Sequence, residues 1–95
     1  MSKYEATIVV NVKLEDEERA AVIERVKEYI TRFGGTVTGV DEAGKKRLAY
    51  EIQKTREAYY YFISFDAGSD TPNELEKVLR ITDNVIRYLI VKKEA

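Results

Sequence analysis

Three consecutive cations, Lys45, Lys46 and Arg47, are the residues of this sequence best suited to bind another molecule. They follow Gly44 and lead into a segment that ends at Ile52. Adjacent positive side chains cannot be buried without partners, so they face either water or the phosphates of a binding partner. A solvated cluster that protects a sheet edge is the simpler interpretation, because lysine on an edge strand discourages unwanted strand pairing. The rest of the chain must decide between these two roles.

The segment after the cations alternates between apolar and polar residues, which predicts a half-buried strand. Leu48, Tyr50 and Ile52 are expected on one face of that strand, and Arg47, Ala49 and Glu51 on the other.

The sequence contains few side chains that are suited to catalysis. The chain has no histidine, the usual general base, and no cysteine, so it offers neither a thiolate metal site nor a disulfide. None of its five glycines belongs to a phosphate-binding loop that ends in Gly-Lys-Ser or Gly-Lys-Thr. We therefore predict a protein that is not an enzyme, with no metal, no other cofactor and no small-molecule substrate.

The charges are unevenly distributed. The formal net charge is only -1, but residues 45–56 and 77–93 are predominantly basic, whereas residues 15–28 are predominantly acidic. If the two basic segments lie close together in the fold, they form a local positive patch that the total charge hides.

The length of 95 residues favours a single domain that spans residues 1–95. No apolar run approaches the roughly 20 residues that span a bilayer, and the N-terminus lacks a signal-peptide pattern. We expect a cytoplasmic protein without a membrane partner.

The pattern of apolar residues predicts two halves, each with a helix between two strands. In the first half we expect a strand over residues 4–12, a helix over 16–33 that Gly34 and Gly35 end, and a strand over 36–53. The turn-forming residues 41–44 suit either a hairpin tip or a bulge inside one bent strand, and we favour a bulge near Gly44.

The second half starts with a turn at residues 54–57 and a strand over 59–65. The next helix is expected to begin with Thr71 as its N-cap, Pro72 as its first residue and Glu74 closing a capping box. A turn at 81–84, a strand over 85–91 and a frayed tail at 92–95 complete the prediction.

This order predicts an α+β fold, the ferredoxin-like β-α-β-β-α-β sandwich, with a four-stranded, mainly antiparallel sheet and two helices on one face. The first and third strands would be central. The helices would cover Ile8, Val10, Ile63, Phe65, Tyr88 and Ile90. The other face would carry Val9, Tyr60, Phe62, Arg87, Leu89 and Val91. An exposed face with this many apolar residues is typical of a contact surface. The candidate contact residues on it are Tyr60, Phe62 and Leu89.

Two stretches resemble one protein family. The run Gly44-Lys-Lys-Arg-Leu-Ala-Tyr-Glu-Ile52 is similar to the signature of bacterial small-ribosomal-subunit protein six, and residues 81–92 resemble the C-terminal segment of that family. The resemblance implies the same ferredoxin-like fold. It also implies a structural role in the cytoplasmic ribosome, as a heterodimer with small-subunit ribosomal protein eighteen on the central domain of the small-subunit ribosomal RNA.

The resemblance further implies which cations contact the RNA or the partner protein. These are the basic residues of the two matched stretches, Lys45, Lys46, Arg47, Arg80, Arg87 and Lys92. Arginine can grip a phosphate with two hydrogen bonds, whereas lysine acts more as a point charge. The alternative function is a ferredoxin-like protein-interaction or ligand-sensing module that uses the open sheet face.

Overall fold

A computed structural model describes residues 2–52 and 55–93, with side chains at all of these positions except 48–52, 55 and 56. The predicted faces of residues 48–52 and the end of the predicted tail, Glu94 and Ala95, therefore lie outside the described part. The elements are β1 (Ser2–Asn11), α1 (Asp16–Arg32), β2 (Thr36–Ile52), β3 (Thr55–Ala67), α2 (Thr71–Arg80) and β4 (Val85–Lys93). One sheet runs in the order β2-β3-β1-β4, and every neighbouring pair is antiparallel. The ferredoxin-like prediction, with β1 and β3 central, is confirmed.

The core lies between the sheet and the two helices, because alternate residues of the central strands point toward the helices. The central strands contribute Tyr4, Ala6, Ile8, Val10, Tyr61, Ile63, Phe65 and Ala67. The helices contribute Val22, Ile23, Val26, Ile30, Leu75 and Leu79. Tyr88 and Ile90 of β4 are partly buried and pack against this cluster, so the predicted helix-side face is confirmed.

Strand β2 is a single bent strand, as predicted. Its pairing with β3 shifts register between Glu42 and Gly44, and Gly44 adopts φ +84°, a conformation that costs glycine little. A second shift lies between Val37 and Gly39. The predicted bulge near Gly44 is therefore confirmed, and it resets which side chains of β2 face the helices.

The strand boundaries differ from the prediction: β1 spans Ser2–Asn11 instead of residues 4–12, and β3 and β4 extend into predicted loops. Residues 55–57 belong to β3 instead of a turn, because Arg47 pairs with Glu57 and Ile52 with Thr55 across the hairpin. Gln53 and Lys54 lie outside the described residues. Lys92 and Lys93 belong to β4 instead of a frayed tail, because β1 still offers Tyr4 and Lys3 as pairing partners.

The start of α2 also differs from the prediction. Asp70 is the N-cap residue, and Thr71 is the first helical residue. The Thr71 hydroxyl donates to the carbonyl oxygen of Phe33 at 2.7 Å, which ties the start of α2 to the end of α1. A capping arrangement occurs instead at α1, where the backbone N–H of Glu15 donates to the Glu18 carboxylate at 3.3 Å.

Candidate functional site

The three consecutive cations lie near one end of the sheet, on the edge strand β2. Lys45 pairs with Tyr59, Lys46 with Ala58 and Arg47 with Glu57, and all three cations are exposed. Directly paired residues share a face of the sheet. Lys46 therefore lies on the open face, away from the helices, whereas Lys45 and Arg47 lie on the helix side. The three consecutive cations therefore place positive charge on both faces of the sheet instead of one.

The sheet narrows at these cations. The ladder between β1 and β3 ends with the pair Asn11 and Ala58, so Arg47 and Glu57 pair where only β2 and β3 run side by side. The Lys45 ammonium lies 3.9 Å from the Glu57 carboxylate, and both side chains are about half exposed. Such an exposed pair adds little stability and leaves the lysine available to another anion.

Two more predicted cations lie at this end of the sheet. Arg87 is exposed on the open face, where its residue pairs with Val9. Arg80 is the exposed last residue of α2, and it lines a shallow pocket together with Asn11 and residues 81–86. The Arg80 guanidinium is 3.9 Å from Glu76. We call Lys45, Lys46, Arg47, Arg80 and Arg87 the basic end.

One further cation, Lys13, lies beside this group and was not among the predicted contact residues. Lys13 is exposed just past the end of β1, and its backbone N–H donates to the Asn11 side chain at 2.9 Å. The local sequence around Lys13 does not indicate a contact residue. Its place beside the basic end follows only from the fold, which brings Asn11 next to Asn84. The backbone N–H of Asn11 donates to the Asn84 carbonyl oxygen at 3.1 Å.

Lys92 does not lie at the basic end. It pairs with Tyr4, whereas Arg87 pairs with Val9, so the two residues are five positions apart along β4, or roughly 17 Å. Lys93, next to Lys92, forms an ion pair with Glu5 at 3.1 Å. The structure therefore brings five of the six predicted cations to one end and leaves Lys92 at the other.

The open face carries an apolar surface beside the basic end. Tyr60 and Phe62 are half-buried, while Leu89 is 58% exposed and Val91 is 41% exposed. Val9 lies on the same face, as predicted, but its side chain is only 3% exposed. Its flanking partners in the ladder are Tyr60 and Arg87, and these long side chains line a shallow pocket around it.

Arg19 makes contacts that the sequence did not reveal. Its guanidinium stacks over the Tyr59 ring at 3.6 Å and donates to the Tyr61 hydroxyl at 3.2 Å and the Leu14 carbonyl at 2.8 Å. It also pairs with Asp16, and its side chain is only 12% exposed. Burial opposes the charged form, but hydrogen bonds to Tyr61 and Asp16 more than offset this and raise the pKa of Arg19.

The described residues give no sign of a metal centre or a membrane span. Within residues 2–52 and 55–93, no three acidic side chains cluster in a way that could hold a metal ion. Neither helix of that part is long and apolar enough to cross a bilayer.

The sequence matches one family along nearly its whole length. The model of the family described as ribosomal protein S6 matches residues 3–92. Small ribosomal subunit protein bS6 from Caldanaerobacter subterraneus is 47% identical over 94 residues, which cover 99% of both chains. The bS6 protein from Moorella thermoacetica is 48% identical over 94 residues, with 99% of this chain and 96% of the relative covered.

A solved structure agrees with these matches. The crystal structure of 30S ribosomal protein S6 from Thermotoga maritima superposes with a TM-score of 0.91 at 31% identity. The superposition covers 97% of this chain and 87% of that one. The chain therefore belongs to the ribosomal protein S6 family, whose members are structural proteins of the small ribosomal subunit in the cytoplasm and not enzymes.

Proposed function

We propose that this protein binds the central domain of the small-subunit ribosomal RNA together with small-subunit ribosomal protein eighteen. The basic end contacts RNA phosphates, and the open face, through Tyr60, Phe62 and Leu89, contacts the partner protein. The observation that carries the proposal is that five cations lie together beside an apolar sheet face. These cations come from three separate elements, β2, α2 and β4, which the fold brings to the same end.

The chemistry of the basic end suits phosphate better than it suits protein. Exposed lysine and arginine bind the RNA backbone largely through charge and counterion release, without reading base sequence. The ion pairs at this end are exposed and long, 3.9 Å for Lys45 with Glu57 and 3.9 Å for Arg80 with Glu76. Exchanging either acid for a phosphate therefore costs little.

The apolar part of the open face suits a protein partner. Both helices of the described chain lie on the opposite face of the sheet, so Leu89 and Val91 remain exposed. A partner that covers these side chains removes apolar surface from water, and each Å² so buried contributes about 25 cal/mol of favourable free energy. A partner seated there would lie next to the basic end, so one RNA segment could contact both proteins.

A gel-shift titration tests the proposal. The central-domain RNA fragment is titrated with this protein alone, with protein eighteen alone and with both, at low and high salt. We expect tight binding only with both proteins, and weaker binding as salt rises. If both proteins together give no shift while circular dichroism shows a folded chain, the alternative function, an interaction module that uses the open face, replaces the ribosomal role.

Reversing the charge of Arg87 is expected to weaken the assembly about tenfold, because a carboxylate at the basic end repels phosphate and loses a charge-assisted contact. The fold is expected to survive, since Arg87 is exposed on an edge strand. The measurement is the midpoint of the same titration with Arg87→Glu.

The matched control is Lys92→Glu, which makes the same charge change on the same strand at the other end of the sheet. We expect a clearly smaller effect from this variant. Equal losses from both variants would mean that net charge alone governs assembly and that the basic end has no special role.

A further inference from the structure

The Arg19 contacts connect elements that are distant in the sequence. The guanidinium connects Leu14, in the loop before α1, and Asp16, the first residue of α1, to two aromatic residues of β3, Tyr59 and Tyr61. Four contacts on a side chain that is 12% exposed amount to a fixed clamp instead of a solvated surface charge.

The clamp holds β3 where the sandwich ends. On the helix side of β3, Tyr59 is the last residue that packs against the core, and the next residue on that side, Glu57, is exposed. Beyond Ala58 only β2 accompanies β3. A two-stranded ribbon is marginally stable by itself, so its orientation depends on how firmly its base is held.

The residues at that base include the cations of β2. Tyr59 pairs with Lys45, and Ala58 and Glu57 pair with Lys46 and Arg47. Whatever holds Tyr59 against α1 therefore also sets the position of the three cations relative to the rest of the domain.

We propose that Arg19 is a positioning residue for the RNA contact: it clamps Tyr59 to the start of α1 and so fixes the direction in which Lys45, Lys46 and Arg47 meet phosphate. This role rests on the proposed RNA-binding function. Arg19 itself touches no RNA, because its guanidinium is already committed to Tyr59, Tyr61, Leu14 and Asp16. Preorganised cations bind better than mobile ones because less freedom is lost on binding.

Hydrogen exchange tests the clamp without RNA. In Arg19→Ala, amides of residues 45–47 and 57–59 are expected to exchange about tenfold faster, while those of the β1 centre stay protected. Arg19→Lys keeps the charge but loses the planar fork, so it is expected to behave like the alanine variant. Arg25→Ala, which removes an exposed arginine from the same helix, is the control and should leave exchange unchanged.

The gel-shift titration then asks whether the clamp serves RNA binding. Arg19→Ala and Arg19→Lys are expected to raise the titration midpoint about fivefold, and Arg25→Ala to change it less.

Unchanged exchange in Arg19→Ala would overturn the clamp, whatever the RNA result. Faster exchange with normal assembly would overturn the positioning role. Normal assembly by Arg19→Lys alone would show that charge, not the clamp, matters. Failure of the unmodified protein to assemble would refute the proposed function but leave the exchange result standing.

Discussion

Replacing Phe65 by alanine is expected to lower the free energy of unfolding by about 3 to 5 kcal/mol, the cost of removing a large aromatic side chain from a packed core. Phe65 is 1% exposed on the central strand β3, and its ring stacks on that of Tyr4, with centroids 5.5 Å apart. A domain of this size has only about 5 to 15 kcal/mol of stability, so the variant should lose a large share of it. Urea denaturation at low temperature, followed by circular dichroism, measures the loss.

Phe62→Ala is the matched control for that experiment. Phe62 is the same residue type on the same strand, three positions away, but it lies half-buried on the open face. Its loss should cost clearly less stability, because the site can fill with water instead of leaving an enclosed cavity. If the two variants lost equal stability, the assignment of faces along β3 would be wrong.

The faces of the central strands could be predicted because they follow a strict period of two. In β1 the side chains of Tyr4, Ala6 and Ile8 alternate with more polar ones, so burial of one face fixes the register of the whole strand. The helices were equally readable, since their apolar residues recur every three or four positions. These signals are local, and the fold was predictable to the extent that it depends on them.

The faces of the three cations were not predictable to the same degree. The register of β2 shifts once between Val37 and Gly39 and again between Glu42 and Gly44. Each shift reverses the assignment of faces for every residue that follows. The cation run marked a candidate contact segment, but its division between the two faces depends on the number of bulges. That number is set by pairing with β3 and not by the local sequence.

Contacts between residues that are distant in the sequence could not be predicted for a different reason. The hydroxyl of Thr71 donates to Phe33, and the guanidinium of Arg19 to Tyr61, 42 positions away. In the sequence, Thr71 before Pro72 resembles an N-cap, and Arg19 resembles a solvated charge on an acidic helix. In the structure the N-cap of α2 is Asp70, and both side chains find their partners elsewhere in the fold.

The two glycines after α1 were predicted together as a helix stop, but they are needed for different reasons. Gly34 adopts φ +89°, the left-handed conformation that ends a helix, and its backbone N–H donates to the Thr31 carbonyl. Gly35 is buried and lies close to Ile30 and to the backbone of Asp66 in β3. A sequence pattern cannot separate a conformational glycine from one that makes room for a neighbouring chain.

Replacing Gly35 by alanine is therefore expected to cost about 1 to 3 kcal/mol through overpacking. The added Cβ would lie 2.8 Å from the Ile30 Cγ2 atom, 3.1 Å from the Ile30 carbonyl oxygen and 3.3 Å from that of Asp66. Ile30 is fully buried and β-branched, so it cannot rotate away cheaply. Gly39→Ala is the control, since a Cβ there meets nothing within 4 Å, and its denaturation midpoint should barely move. Equal midpoints for the two variants would show that α1 can shift away from β3 at little cost.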